Sequence, residues 1–196
     1  MKVLIVSRGL PDACYPLNGI FEFDQAAALA AQGADVVFFA VDIRSFRRKR
    51  KWGISEENRN GVRCYTISIP VGAVPDRIAA LAAEKALIIL FHRVFSTEEK
   101  PDVIHAHFTF QGYIAFKLAE REHIPLIITE HSSIMNKEVI KKQDFRMAQE
   151  AYEHAGCVIA VSNALARNIY KHFSVRCKVV PNIVDTDSFR QKKEKM

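Results

Sequence analysis

The chain has 196 residues, which is enough for one large domain with a full core or barely for two small ones. Its hydrophobic content of 49% is ordinary for a globular protein, and no apolar run reaches the roughly 20 residues of a membrane-spanning helix. The net charge of +6 favours acidic partners, namely nucleic acid, phosphorylated substrates or an anionic membrane. Four widely spaced cysteines without a C-x-x-C pair argue against a disulfide framework or a thiolate zinc site, and indicate reduced thiols in a cytoplasm.

Short apolar runs recur along the chain and predict the strands of a sheet. They cover 2–7, 36–41, 62–69, 103–107, 126–129, 157–161 and 177–180. Helical patterns lie between most of them, at 20–33, 76–95, 136–154 and 163–173, and the helix at 76–95 is expected to be largely buried. This alternation predicts a single Rossmann-like α/β domain, a three-layer α/β/α fold with a mainly parallel sheet of about seven strands.

Gly19 stands directly before the first predicted helix. The free amides of a helix terminus form an anion site, and a glycine there lets a phosphate approach the backbone closely. A single glycine is also compatible with an ordinary loop, so its context has to decide between the two. No further glycine follows until Gly33, so the G-x-G-x-x-G fingerprint is absent, which argues against a dehydrogenase.

Histidines close two neighbouring predicted strands. His105 and His107 share one face of their strand, and His131 follows Glu130 at the end of the next. Because a crossover helix joins parallel strands, both ends should lie at the edge where open α/β sheets bind ligands. His131 could donate a hydrogen bond to a ligand hydroxyl, share charge with Glu130, or bond a loop carbonyl.

The pair His105 and His107 also has a metal-binding interpretation, since H-x-H at a strand end occurs in barrel hydrolases. Such a barrel needs about 250 residues, and the chain is too short for it. We therefore expect no metal, and assign the candidate site to His107 and His131.

A run of five basic residues follows the second predicted strand: Arg47, Arg48, Lys49, Arg50 and Lys51. It is interpreted either as a solvated loop or as a patch that docks on anionic groups. Because Phe46 and Trp52 flank it, an acidic lipid surface is the favoured partner. No nucleic-acid-binding module surrounds the patch, so no nucleic acid partner is expected.

Five motifs in sequence resemble the N-terminal half of family-4 glycosyltransferases, which have the GT-B fold. They are Gly19-Ile20-Phe21 with the helix that follows, 102–107, 129–131, Val161-Ser162, and 180–189. The resemblance implies two facing Rossmann-like domains, the first binding mainly the acceptor and the second mainly the nucleotide-sugar donor. It also implies sugar transfer to a polysaccharide or glycolipid acceptor with retention at the sugar carbon, and no cofactor or metal.

The resemblance also assigns roles to individual residues. His131 is the expected catalytic residue at the donor sugar, and Gly19 is expected at the donor diphosphate. The remaining expected substrate-binding residues are Ile20, His107, Glu130, Ser162 and Asn182. The chain departs from the family where Asn18 replaces the first of two adjacent glycines, and where Ile183 replaces the usual glycine.

The expected domain organisation follows. Residues 1–185 form the acceptor-side domain, 186–196 begin the interdomain segment or a frayed tail, and the C-terminal donor-binding domain is absent. Joined to that domain the chain is expected to be an active hexosyltransferase-type enzyme, located in the cytoplasm or peripherally at the inner face of the membrane. Alone it is expected to be inactive. Two alternatives stay open: a stand-alone, non-catalytic module that binds an anionic or phosphorylated ligand, and a metal-dependent hydrolase using His105 and His107.

Overall fold

A computed structural model describes residues 1–44, 52–71 and 74–184 of the chain, and these form one eight-stranded sheet. The strands are β1 (Lys2–Ser7), β2 (Asp35–Arg44), β3 (Gly53–Arg59), β4 (Val62–Pro70), β5 (Val103–His107), β6 (Leu126–Glu130), β7 (Cys157–Ala160) and β8 (Lys178–Val179). Their order across the sheet is β3-β4-β2-β1-β5-β6-β7-β8. Every pairing is parallel except that of β3 with β4, so the predicted α/β fold with a mainly parallel sheet is confirmed.

The helices are α1 (Ile20–Ala31), α2 (Asp76–Phe95), α3 (Phe108–Glu122), α4 (Lys142–Glu153) and α5 (Asn163–Phe173), with a 3-10 turn at Ser133–Asn136. The helix predicted from residue 136 begins only at Lys142. Ser132 caps the preceding turn by accepting a hydrogen bond from the Ile134 amide at 3.0 Å. This local bond satisfies the backbone in a short turn, and the chain becomes helical again after Lys141, whose backbone is extended.

The core lies on both faces of the sheet, as three layers require. On β1, Val3 and Ile5 pack with α1, whereas Leu4 and Val6 belong to the larger cluster under α2, α3, α4 and α5. Successive strand residues point to opposite faces, so a strand covered on both sides has to be apolar throughout. This explains why the central strands are continuous apolar runs.

Strand β3 is absent from the sequence prediction, which treats 42–61 as an interruption. It forms a hairpin with β4 through the turn Asn60-Gly61, where φ is 50° and 77°. Both faces of β3 are exposed and polar, so no buried face imposes the alternation that marks a strand. Its charged side chains suit an edge strand, because they oppose pairing with other chains.

Two predicted segments fall outside the described residues. These are the basic patch, Arg47, Arg48, Lys49, Arg50 and Lys51, and the segment 186–196.

Helix α2 is not largely buried as predicted. One side packs on the sheet through Leu87 and Phe91, but Ile78, Leu81 and Ile89 are each about half exposed on the other. Across the described ranges, none of the helices combines the length and the apolarity needed to cross a membrane.

Candidate functional site

A cleft of about 1110 Å³ opens at the carboxyl edge of the sheet. The segments that follow β1, β5, β6 and β8 contribute Arg8, Phe108, His131 and Asn182 to its wall; Phe108 is the first residue of α3. Because parallel strands all end at the same edge, residues that are far apart in sequence meet here. The predicted position of the site therefore coincides with a large concave surface at the strand ends.

His131 lies in the wall of this cleft and is held from several sides. Its Nε2 atom is 3.0 Å from Nδ1 of His107. The ring of Phe21 stacks over the imidazole with 6.0 Å between centroids, and the ring of Phe108 lies at 4.9 Å. Phe21 lies two residues after Gly19, so its contact with His131 brings the N-terminus of α1 beside this histidine. The structure thus unites the Gly19 region, His107 and His131, as the sequence predicts.

The three histidines form a stacked row that enters the core. The ring centroids of His105 and His107 are 4.5 Å apart, and those of His107 and His131 are 5.3 Å apart. His105 Nε2 lies 2.7 Å from the hydroxyl of Thr129, and His107 is completely buried. His107 therefore reaches the cleft only through His131.

Burial keeps all three rings neutral. It lowers the pKa of His105 to about 4 and the pKa of His107 well below its usual value. The neighbouring histidines lower both pKa values further, because positive charges on adjacent rings repel each other. Burial also lowers the pKa of His131 to about 4; the Asn182 side chain opposes this shift and the Arg8 guanidinium adds to it. At neutral pH, His131 acts as a hydrogen-bonding group, not as a cation.

The contact between His107 and His131 also couples the tautomers of the two rings. Since both rings are neutral, a single proton lies between His107 Nδ1 and His131 Nε2. His107 Nε2 is buried without a hydrogen-bond partner among the described residues. His131 Nδ1 is likewise buried without a hydrogen-bond partner among the described residues, so each of the two tautomers leaves one buried ring N–H unpaired. In the tautomer in which His107 Nδ1 donates to His131, the proton of His131 is on its own Nδ1 and is the one available to a ligand.

Glu130 is completely buried, and its carboxylate is fully engaged inside the protein. Oε1 accepts hydrogen bonds from the backbone amides of His131 and Ser132, at 3.0 and 2.7 Å. Oε2 accepts from the hydroxyls of Thr109 and Tyr152, at 2.5 and 2.7 Å. The structure therefore gives Glu130 the task of fixing the loop that carries His131, and not the predicted contact with substrate.

Two features require a glycine at position 19: its backbone conformation and the close approach of Gly9. Its φ of 78° lies in the left-handed region, and a Cβ atom there would stand 2.0 Å from the carbonyl oxygen of Gly9. Because Gly19 has no side chain, its backbone can lie close to that of Gly9 at the other end of this loop. This close approach brings the start of α1 to the strand ends. Ile20, the first residue of α1, is half-buried, and its neighbours Asn18 and Phe21 line the cleft.

Arg8 is a site residue that the sequence analysis missed. It directly follows β1, and its guanidinium lies 4.6 Å from the ring centre of Phe108. Its Nε is 3.7 Å from Oε1 of the buried Glu22. Burial raises the pKa of Glu22, and the positive charge of Arg8 opposes this rise. The signal was its place immediately after a strand, at the same edge as His131.

Phe108 carries backbone strain at the same point. Its φ of 70° is unusual for an aromatic residue, and such conformations concentrate at functional sites. This conformation lets the ring lie against both His131 and Arg8.

The two remaining predicted site residues differ. Asn182 lines the cleft beside His131. Ser162 caps α5, where its hydroxyl accepts a hydrogen bond from the Leu165 amide at 3.1 Å, and it is not part of the wall around His131. Its contact with substrate stays a prediction.

The geometry does not favour the hydrolase alternative. In the part of the chain that the structure describes, no three His, Cys, Asp or Glu side chains come together as metal ligands. His105 Nε2 is occupied by Thr129, and the rings of His105 and His107 stack instead of converging on one point.

Comparison with known proteins assigns the family. The model of glycosyltransferase family 4 matches residues 23–188, which is most of the chain, and the chain belongs to this family. The fold is one Rossmann-like half of the GT-B architecture. No curated protein sequence matches the chain.

Solved structures share the fold at low identity. Sucrose-phosphate synthase from Thermosynechococcus elongatus is 18% identical with a TM-score of 0.66; the match covers 92% of this chain and 47% of that one. HepE from Anabaena in complex with UDP-glucose is 14% identical with a TM-score of 0.63, covering 98% and 47%. Starch synthase IV from Arabidopsis thaliana, bound to ADP and acarbose, is 14% identical with a TM-score of 0.59, covering 98% and 53%. The chain thus spans about half the length of these proteins.

Proposed function

We propose that this chain is the acceptor-side half of a retaining glycosyltransferase, which moves a sugar from a nucleotide-sugar donor to a polysaccharide or glycolipid acceptor. Membership of glycosyltransferase family 4 supports the reaction class. The observation that carries the proposal is the convergence of Arg8, Phe21, His131 and Asn182 from four parts of the chain on one cleft at the strand ends. The neutral hydrogen-bonding ring of His131 and the aromatic ring of Phe21 suit a sugar, and the cation of Arg8 suits the diphosphate attached to it.

The donor end of the cleft lies around His131. We propose that His131 adopts the tautomer with its proton on Nδ1 when substrate is bound and donates it in a hydrogen bond to a hydroxyl of the donor sugar, while Arg8 faces the diphosphate. The N-terminus of α1, beside Gly19 and Ile20, would add about 0.3–1 kcal/mol of charge stabilisation. HepE in complex with UDP-glucose, and starch synthase IV with ADP, show nucleotide ligands on proteins of this fold.

The acceptor end lies further along the same cleft. Asp76 of α2 and Asp144 of α4 stand in its wall with the apolar side chains of Phe110, Ile134 and Met147. Carboxylates that accept from hydroxyls and apolar surfaces that pack on ring faces are the combination that a sugar needs. We propose that the acceptor glycan binds there.

The second wall of the cleft would come from a C-terminal domain that follows this one, which we take as residues 1–185 with 186–196 leading out of it. Transfer requires donor and acceptor at near-attack distance, together with groups that stabilise the departing diphosphate. We propose that the second domain supplies these groups without a metal or cofactor, and that the enzyme works at the cytoplasmic side of the membrane. This chain alone would bind a nucleotide sugar only at about millimolar concentration, near −4 kcal/mol, and would not transfer it.

The test compares variants of the full-length enzyme in a transfer assay. His131→Ala should lower turnover by about 10–100-fold, because one hydrogen bond to the transition state is lost. His131→Asn, which keeps an N–H donor near the position of Nδ1, should retain more activity than the alanine variant. His154→Ala at the far end of α4 is the matched control, and should leave turnover unchanged.

Two outcomes would contradict the proposal. Parental turnover in His131→Ala would remove the assigned role of this histidine. If the full-length protein bound nucleotide sugars without any transfer, the alternative of a non-catalytic binding module would stand instead.

A further inference from the structure

We propose that the exposed side of α2 is a docking surface for an anionic lipid bilayer. This surface, the α2 outer face, consists of Arg77, Ile78, Leu81, Lys85, Ile89 and Arg93, all of which are exposed. The proposal uses none of the residues of the basic patch at 47–51 and does not depend on the proposed function.

The first observation is that α2 is apolar on two opposite sides. One side is buried against the sheet through Ala83, Leu87, Leu90, Phe91 and Val94. An ordinary surface helix then carries polar residues on its other side. Here Ile78, Leu81 and Ile89 are 52%, 54% and 53% exposed instead.

The three exposed apolar side chains form one stripe. At 100° per residue, Ile78, Leu81 and Ile89 fall within an arc of about 80° along three turns of the helix. Apolar residues that are scattered singly need no explanation, but three on one face of a helix, with Lys85 between Leu81 and Ile89, indicate an interaction site. A bilayer interface buries this kind of stripe.

The second observation is the charge around this stripe. Arg77, Lys85 and Arg93 lie within or beside the same arc, which contains no aspartate or glutamate. On α2 the nearest acid is Glu84, which is already paired with Lys117 at 2.9 Å. Glu150 and Glu153 of α4 line a pocket beside Arg77 and Leu81, together with the cations Lys142 and Arg146. A net charge of +3 around an apolar stripe is complementary to anionic lipid headgroups, whereas lysine and arginine stems also pack along the acyl boundary.

Two protein occupants of this face fit less well: a second copy of the chain, and a domain on the other side of the cleft. Symmetric pairing of the face with a second copy would place three cations opposite three cations, without an acid to offset them. A domain across the cleft could reach only one end of the face. Helix α2 starts at the carboxyl edge, where Asp76 lines the cleft, and its 20 residues extend for about 30 Å towards the amino edge. Ile89 and Arg93 therefore lie far from the cleft.

This placement has a consequence for access to the cleft. Asp76 and Ala79 in the first turn of α2 belong to the cleft wall. With the α2 outer face on a bilayer, the cleft would open beside the lipid headgroups. A lipid-linked acceptor could then enter without leaving the membrane.

The experiment is co-sedimentation of the 196-residue chain with phosphatidylcholine vesicles containing about one-third phosphatidylglycerol, at low and high salt. In one variant Arg77, Lys85 and Arg93 become glutamine; in the second Ile78, Leu81 and Ile89 become serine. At about a tenfold change for each 1.4 kcal/mol and about 1 kcal/mol per cation, the first variant should bind about 100-fold more weakly. The second should lose at least about tenfold.

Controls match each change elsewhere on the surface. Arg167→Gln with Lys171→Gln and Lys178→Gln removes the same charge, and Val139→Ser with Tyr170→Ser removes exposed apolar groups. Neutralising residues 47–51 separates their contribution. Thermal unfolding of every variant checks that it is folded.

The proposal is supported if both α2 variants lose binding and the matched controls keep it. It is overturned if the parent chain does not bind the vesicles, if the serine variant binds like the parent, or if only neutralisation of 47–51 reduces binding. Equal losses in the α2 variants and their controls would also overturn it, since they would show attraction without a defined face.

Discussion

Replacing Glu130 by alanine should destabilise the whole fold, because four hydrogen-bond donors depend on its carboxylate. Thr109 and Tyr152 lose their common acceptor inside the core, and the amides of His131 and Ser132 lose theirs nearer the surface. The two backbone amides are partly buried and can recover some hydration, so the hydroxyls carry most of the cost. At about 1–3 kcal/mol for each buried unsatisfied group, the expected loss is about 3–5 kcal/mol.

Glu130→Gln separates the loss of hydrogen bonds from the loss of charge. The amide oxygen can still accept from the two backbone N–H groups, and its NH₂ group can donate to the hydroxyl oxygens of Thr109 and Tyr152 after these rotate. Burial raises the pKa of Tyr152 well above its usual value and the neighbouring carboxylate adds to this, so the phenol stays protonated as a donor. We expect a loss of only about 1–2 kcal/mol for the glutamine variant, since a charge-assisted bond is replaced by a neutral one.

The assay is urea unfolding followed by circular dichroism, with linear extrapolation to water. Glu138→Ala, an exposed glutamate in the loop before α4, is the matched control and should change stability by less than about 0.5 kcal/mol. Tyr152→Phe combined with Glu130→Ala should cost less than the sum of the two single changes, because the two residues share a bond. A loss below about 1 kcal/mol for Glu130→Ala would refute the assignment, and would restore its predicted role at the substrate.

Two further predictions concern stability. Lowering the pH from about 7 to about 5 should reduce the free energy of unfolding by about 2 kcal/mol through His105 alone: burial lowers its native pKa to about 4, whereas the unfolded chain takes up a proton near 6.5. An unchanged urea midpoint over this range would contradict it. Gly19→Ala should cost more than about 2 kcal/mol because its Cβ would meet the Gly9 carbonyl, whereas Gly33→Ala, with a similar φ and no neighbouring atom, should cost about 1 kcal/mol. Equal losses of stability for Gly19→Ala and Gly33→Ala, measured by thermal unfolding, would rule out the close approach of Gly19 to Gly9 as the cause.

The sequence determined the layered sheet and the edge at which the site lies. Seven of the eight strands could be predicted, and the central ones stand out as continuous apolar runs such as 2–7 and 126–129 because they are buried on both faces. His107 ends one of these runs and His131 follows another, and the parallel pairing of the two strands places both ends at one edge of the sheet. Periodicity and connection rules suffice for these conclusions because they act locally along the chain.

Tertiary structure decided which neighbours each side chain meets. His107 faces Thr129 in the register of β5 and β6, and this alignment lets its ring reach His131 and places Glu130 among buried donors. Sequence could not show this, because hydrogen-bond partners depend on register and on the strained turn at Phe108. Likewise, the composition of α2 shows that it is apolar, but not which side the sheet covers. Burial is a property of the assembled layers, and for α2 it left one apolar side in solvent.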